Sequence, residues 1–115
     1  MKCVIVSRHA AAIEFIRREL PAVFADAPVL ASATASQVRG MVVAGNLPLD
    51  LACEAQYVWA ITFAGQPPRG QEFTLADMDA AGAQLAPYVV QRASRDTLGW
   101  DPWYEVGAGS EPEPD

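Results

Sequence analysis

Short apolar runs, each closed by a turn-forming or charged residue, alternate along this chain with stretches of helical spacing. Residues 3–6 (Cys-Val-Ile-Val) are unbroken and β-branched, the pattern of a strand buried on both faces. Over residues 10–20 the period changes. Ala12, Phe15, Ile16 and Leu20 fall on one helical face, Glu14 and Arg18 stand four apart on the other as an ion pair, and Pro21 closes the segment. Residues 28–33 make a weaker strand and residues 41–44 a better one. Asn46 is expected as the N-cap of a helix running to about residue 55, with Pro48 tolerated in its first turn. Residues 57–63 (Tyr-Val-Trp-Ala-Ile-Thr-Phe) carry the strongest strand pattern, and "AGQPPRGQE" after them reads as a loop.

The following helix is well marked. Thr74 and Asp77 have capping-box spacing, and Phe73 and Met78 occupy the two positions of a hydrophobic staple. Leu75, Met78, Gly82 and Leu85 are expected to face inward, Pro87 to stop the helix, and residues 88–91 to form a last strand. The order β-α-β-β-α-β-α-β predicts an α/β fold: one Rossmann-like domain over residues 1–92, with a mostly parallel sheet flanked by helices. Residues 93–115 form a C-terminal extension in which the periodicity fails. "LGWDPWYEVG" sets three aromatics among turn formers, as an arm that docks on the body or on a partner subunit would. The last ~8 residues have the composition of a disordered end.

A chain of 115 residues suits one domain. No apolar run approaches the roughly 20 residues of a membrane span. Met1-Lys2-Cys3-Val4 lacks the zones of a signal peptide, so a cytoplasmic protein is expected. Neither Cys3 nor Cys53 has a CxxC or histidine-rich neighbourhood; both read as small core residues, and no metal site is expected.

The net charge of −6 argues at first against a polyanionic partner. Its distribution changes that picture. Asp96, Asp101, Glu105, Glu111, Glu113 and Asp115 supply six of the fourteen acidic residues, while all eight basic residues lie in residues 1–95, which are therefore neutral (14 − 6 = 8 acidic against 8 basic). Such a body has no broad basic face for a long nucleic acid, but a few placed arginines can hold a small anion.

In open α/β sheets, ligands gather at the carboxyl ends of the strands, where helix N-termini present free N–H groups. Three polar clusters map to that edge: Ser7-Arg8-His9 after the first strand, Gly45-Asn46 after the middle one, and the loop holding Arg69 after the strongest. Arg8 and Arg69 are candidate phosphate ligands. Imidazole is the side chain whose charge changes near neutral pH, which makes His9 a candidate proton carrier or phosphate ligand. Ser7 and Asn46 each read equally as helix caps, Arg8 and Arg69 as solvated surface groups, and His9 as a helix-start residue bonded to backbone.

An Arg-His pair after a first strand also marks the histidine phosphatases. Their motif continues with glycine and their pocket needs a second histidine, whereas Ala10 follows here and His9 is the only histidine. The segments "VSRHAAAIEFI", "GNLPLDLACEA", "PPRGQEFT" and "LADMDAAGAQLAPYVV", in this order, resemble the small CRISPR-associated proteins of the Csx-sixteen family over most of residues 2–91. That family has Pro-Gly after the Arg-His pair, where this chain has Ala10-Ala11.

The resemblance implies a CARF-like homodimeric ring nuclease of type III CRISPR systems. Its ligand would be cyclic tetra-adenylate, cut without metal or cofactor to linear di-adenylates with 2′,3′-cyclic phosphate ends, so that antiviral signalling is switched off. On that expectation Arg8 and His9 are catalytic, and Ser7, Gly45, Asn46 and Arg69 bind the ligand. Two rivals stand beside it: a protein that sequesters the cyclic oligoadenylate uncut, and an interaction module working through the aromatic tail.

Overall fold

Two strands made only of apolar residues lie side by side within the sheet: β1 (Cys3–Val6) and β3 (Val42–Ala44), paired parallel with Ile5 opposite Ala44. The computed structural model describes residues 2–67 and 73–94, and every structural statement below concerns these. Around the central pair, β2 (Val29–Leu30) joins β1 and β4 (Tyr57–Phe63) joins β3, both parallel, while β5 (Ala83–Tyr88) runs antiparallel along β4. The order is β2-β1-β3-β4-β5. The expected α/β fold with a mostly parallel, helix-flanked sheet is thus present, and among the described residues no helix is long and apolar enough to cross a membrane.

Side chains alternate across the sheet and build a core on each face. On one face Ile5, Val42 and Ala44 pack with Ile16 of α1 (Ala10–Glu19) and Phe24 of α2 (Pro21–Phe24), all buried. Beside them Ala12 and Phe15 of α1 meet Met78 of α5 (Leu75–Ala80). On the other face Val4, Val43 and Val58 pack with Val38 of α3 (Ala35–Val38) and Ala52 of α4 (Leu49–Ala52). Arg17 ties the α1–α2 corner to the body, donating from Nη2 to the Ala27 carbonyl at 2.9 Å and from Nε to the Phe24 carbonyl at 3.3 Å.

Four sequence expectations need correction. The helix begun at Thr74 ends at Ala80, and residues 83–88 are strand rather than helix. Gly82, expected to face inward on a longer helix, adopts φ +74°, the left-handed conformation that terminates helices. Pro87 therefore lies in β5, opposite Trp59. Because Ala64 N–H bonds the Gly82 carbonyl, the antiparallel alternation leaves Trp59 and Pro87 as a pair exchanging no hydrogen bond. The missing proline N–H then falls on the side away from β4. The strand expected over residues 88–91 ends at Tyr88.

The second correction concerns Asn46, which caps nothing: the shortened α4 has Pro48 in its N-cap position and ends at Ala52. Third, α2 and α3 are additional helical turns. Pro21 closes α1 but also opens α2 at its first position, and Gln37 Oε1 accepts the Thr34 N–H at 2.8 Å at the start of α3. Fourth, Arg18 does not pair with Glu14. It turns to Glu19 and, in a two-pronged contact of 2.9 and 2.7 Å, to Asp79 of α5. Both cysteines are half-buried free thiols; Cys3 packs against the core, whereas Cys53, expected there too, is the C-cap residue of α4 and belongs to no core cluster. Arg69 and the aromatic and acidic tail beyond Ser94 lie outside the described residues.

The Arg18–Asp79 pair couples α1 to α5. The hydrogen bond from Arg18 is the largest influence on Asp79 and holds its carboxyl below the usual carboxylate range, while the same bond pushes Arg18 further up. A depressed carboxyl contributes stability that is fully present above its unfolded value near pH 4 and is lost as the pH falls through the folded value. Both groups are exposed, so the contribution is small and screened by salt. Asp79→Asn is therefore expected to flatten the acid limb of the stability curve. Urea unfolding at pH 6 and pH 3 should show a smaller difference for the variant than for the wild type, and the gap should shrink in 1 M salt.

Candidate functional site

In the order β2-β1-β3-β4-β5 the chain winds outward from β1 to β2 and then crosses to β3, so the connections after β1 and β3 leave in opposite directions. Their separation opens a crevice at the carboxyl ends of these strands, the place where doubly wound sheets bind ligands. A cavity of about 440 Å³ occupies that crevice, within the roughly 300–1,000 Å³ range of small-molecule sites. Ser7, Arg8 and His9 line it from the β1 side, and Gly45 and Asn46 line it from the β3 side. Five of the six residues expected at this edge therefore share one cavity; the sixth, Arg69, is not among the described residues.

Each of these residues is held by a different contact. Ser7 continues the β1 ladder, its N–H bonding the Leu30 carbonyl at 2.9 Å, and its Oγ accepts the His9 N–H at 3.2 Å. It does not cap α1; His9 stands in the N-cap position, with extended backbone and no side-chain bond to the first turn. The uncapped N–H groups of that turn carry the partial positive charge of a ten-residue helix. Arg8 donates from Nε to the Ala31 carbonyl beyond the end of β2 at 3.3 Å, leaving both terminal nitrogens without a partner among the described residues.

The β3 side is made by backbone. Gly45 has φ +135°, and a Cβ there would run into the Val6 carbonyl oxygen. Only glycine lets the end of β3 approach the end of β1 this closely. The Gly45 N–H still bonds Trp59 of β4 at 2.9 Å, but beyond it the chain leaves the sheet. Asn46 then continues the ladder with its side chain: Oδ1 accepts the Ile61 N–H at 2.8 Å, and Nδ2 donates to the Ile61 carbonyl at 3.2 Å. The Ile61 N–H requires an acceptor opposite it, which settles the orientation of the amide. Asn46 is thus a cavity-lining residue whose side chain is already spent on β4.

The cavity is two-sided in chemistry. Its rim carries Ser7, Arg8, His9, Ser32 and Asn46, and its floor is apolar, with Ile16, Leu51, Ile61, Phe63, Phe73 and Met78. No described carboxylate lines it, although the whole chain is acidic. Among the described residues, Arg8 and the α1 N-terminus therefore make a positive rim with no lining carboxylate over an apolar floor, a fit for a ligand with an anionic group and a flat ring. No cluster of three or more His, Cys, Asp or Glu side chains with metal-binding geometry occurs among the described residues.

Two lining residues escape a sequence reading. Ser32 enters through the loop after β2, and Phe73, legible only as a staple residue, lays its ring against His9 with centroids 4.8 Å apart and planes 36° from parallel.

Fold and cavity together define a doubly wound α/β protein with a ligand-sized crevice at its switch point. A family model described as "Putative CRISPR-associated protein (Cas_VVA1548)" matches residues 4–91, a span that reaches from β1 past the end of β5. The chain belongs to this family of CRISPR-associated proteins. No curated protein and no solved structure matches it.

Gly45→Ala is expected to destabilise the fold by on the order of 3 kcal/mol, through backbone strain and collision with Val6. Urea unfolding measures it. Asn46→Ala should cost about 1–2 kcal/mol and speed amide exchange at Ile61 selectively, because Ile61 alone loses both partners. Unchanged exchange there would remove the ladder-extending role.

Proposed function

We propose that this protein is a metal-independent ring nuclease that cleaves cyclic tetra-adenylate, acting as a homodimer in type III CRISPR signalling. The observation that carries the reading is the meeting of Ser7, Arg8 and His9 with Gly45 and Asn46 around one crevice, positive at its rim and apolar beneath. Membership in a CRISPR-associated family supports the setting.

Little machinery is needed for this reaction. At each cut one ribose 2′-oxygen attacks the adjacent phosphorus, the P–O5′ bond breaks, and a 2′,3′-cyclic phosphate and a 5′-hydroxyl result. The proton leaves the 2′-hydroxyl as one is delivered to O5′. Holding the sugar in line supplies roughly 7–11 kcal/mol, and a placed cation adds several more as charge builds on the equatorial oxygens. On this reading the free terminal nitrogens of Arg8 face the scissile phosphate, His9 moves protons, and Ser7 fixes the ribose or phosphate. Asn46 shapes the crevice through β4 and orders no ribose with its amide. Arg69, outside the described residues, is on this reading a further ligand for the phosphates. Two cuts, one per subunit of a twofold dimer, yield two linear di-adenylates.

The commitment of Asn46 to β4 favours a second reading, in which the ring is held and not cut, since one of the groups counted on for the in-line pose is absent. Incubation of the purified protein with labelled cyclic tetra-adenylate in EDTA separates the two. Linear products at catalytic turnover are expected; tight binding of intact ring would establish sequestration, and an absence of both cleavage and binding would sink both readings. Arg8→Ala should lower the cleavage rate at least about 100-fold.

A further inference from the structure

A histidine that moves protons needs its ring held, and the usual holder is a carboxylate or carbonyl hydrogen-bonded to one nitrogen. His9 has none among the described residues: its backbone is anchored by the N–H to Ser7 and by its carbonyl to Ile13, but neither imidazole nitrogen is bonded. What the imidazole does meet is the ring of Phe73. Phe73 is fixed in turn from behind. It precedes the Thr74–Asp77 capping box, with Thr74 N–H on Asp77 Oδ2 at 2.8 Å and Asp77 N–H on Thr74 Oγ1 at 3.1 Å, and packs with the buried Met78 cluster.

Resting on the nuclease reading of this crevice, we propose that Phe73 is a positioning residue that sets the plane of the His9 imidazole by ring contact, in place of a hydrogen-bonded partner. The contact fixes the tilt of the imidazole while leaving both nitrogens available. An acceptor on one nitrogen would instead choose the tautomer and leave only the other for ligand. A histidine held by its face can take a proton on one nitrogen and give one up from the other. That suits a reaction in which protons are removed and delivered at two oxygens of the same linkage. It also explains the placement of a half-buried phenylalanine in the cavity lining: α5 is capped and stapled so that the aromatic just before its N-cap reaches the N-cap residue of α1.

The chain has one histidine, so its imidazole C–H signals in NMR are unambiguous. In the wild type these signals should be displaced by the Phe73 ring current and show NOEs to its ring protons; free-histidine positions without NOEs overturn the proposal even if no cyclic substrate is cleaved. Phe73→Leu, which keeps the staple apolar, should return the signals to free-histidine positions. Signals left in place would overturn it.

With cyclic tetra-adenylate as substrate, Phe73→Leu should lower kcat on the order of 10-fold with KM nearly unchanged, and Phe73→Tyr should restore it. The His9→Ala, Phe73→Leu double variant should be no slower than His9→Ala alone. Additive losses, or a raised KM at normal kcat, would make Phe73 a ligand contact and overturn the positioning role. Absence of wild-type cleavage defeats the nuclease reading alone, and the NMR measurements still decide the contact.

Discussion

The close approach of β3 to β1 at Gly45 is the constraint on which the site depends. Two parallel strands with apolar, branched side chains pack tightly within the sheet, and at their carboxyl ends the chains must part. Glycine lets the parting happen abruptly: with no Cβ against the Val6 carbonyl, β3 stays in contact with β1 until its last residue and then leaves the sheet. The turn strips β4 of its backbone partner beyond Trp59, and Asn46 makes good the loss with a side-chain amide. The crevice is what remains between the two departing chains. Its floor is apolar because it is the upper end of the same core that holds α1 to the sheet, with Ile16 and Met78 belonging to both.

Charge is handled by exclusion. The chain carries six more acidic than basic residues, yet none of its described carboxylates lines the cavity. Arg18, the neighbouring arginine of α1 most fully engaged with carboxylates, points to α5 and is neutralised by Asp79 and Glu19. Arg8, by contrast, is steadied by the Ala31 carbonyl, a neutral acceptor that fixes the guanidinium without cancelling its charge. Arg8 is exposed to solvent, so its charge is screened by water and salt and acts at short range, but a body with no basic face can still present one positive charge at the lip of the pocket.

The sequence shows the central elements clearly because they are determined locally. The strands at residues 3–6 and 57–63 are continuous apolar runs bounded by polar or turn residues, and both appear with those limits. Helix α1 likewise follows from its period and from Pro21. The misread region, residues 81–88, is one where apolar spacing suits helix and strand alike. Gly82 decides between them, but a glycine that falls on an inward-facing position is indistinguishable from a C-terminal stop until its φ is known. The turn at residues 35–38 escapes the pattern: Thr34 and Gln37 have capping-box spacing, but the small and polar residues around them carry no apolar period to mark a helix. For the site, the residues directly after β1 could be placed because a strand end fixes its successors. The employment of Asn46 by Ile61, the arrival of Ser32 and the contact of Phe73 with His9 all join distant parts of the chain, and no local pattern encodes them.

The rim residues share a manner of support. Arg8 is held by a backbone carbonyl, Asn46 by a backbone N–H and carbonyl, Ser7 by the β1–β2 ladder and His9 by an aromatic face. None leans on a second ionisable group. A site that must generate its own nucleophile ordinarily spends a chain of such groups on activating it, each tuning the next. A substrate that brings its nucleophile in the adjacent ribose hydroxyl removes that need and shifts the demand to geometry, where neutral, rigid supports serve better than titrating ones. The construction of this rim is therefore compatible with the positioning catalyst proposed for it. The same construction would hold an anion passively, which is why turnover, and not affinity, is the quantity that distinguishes the two.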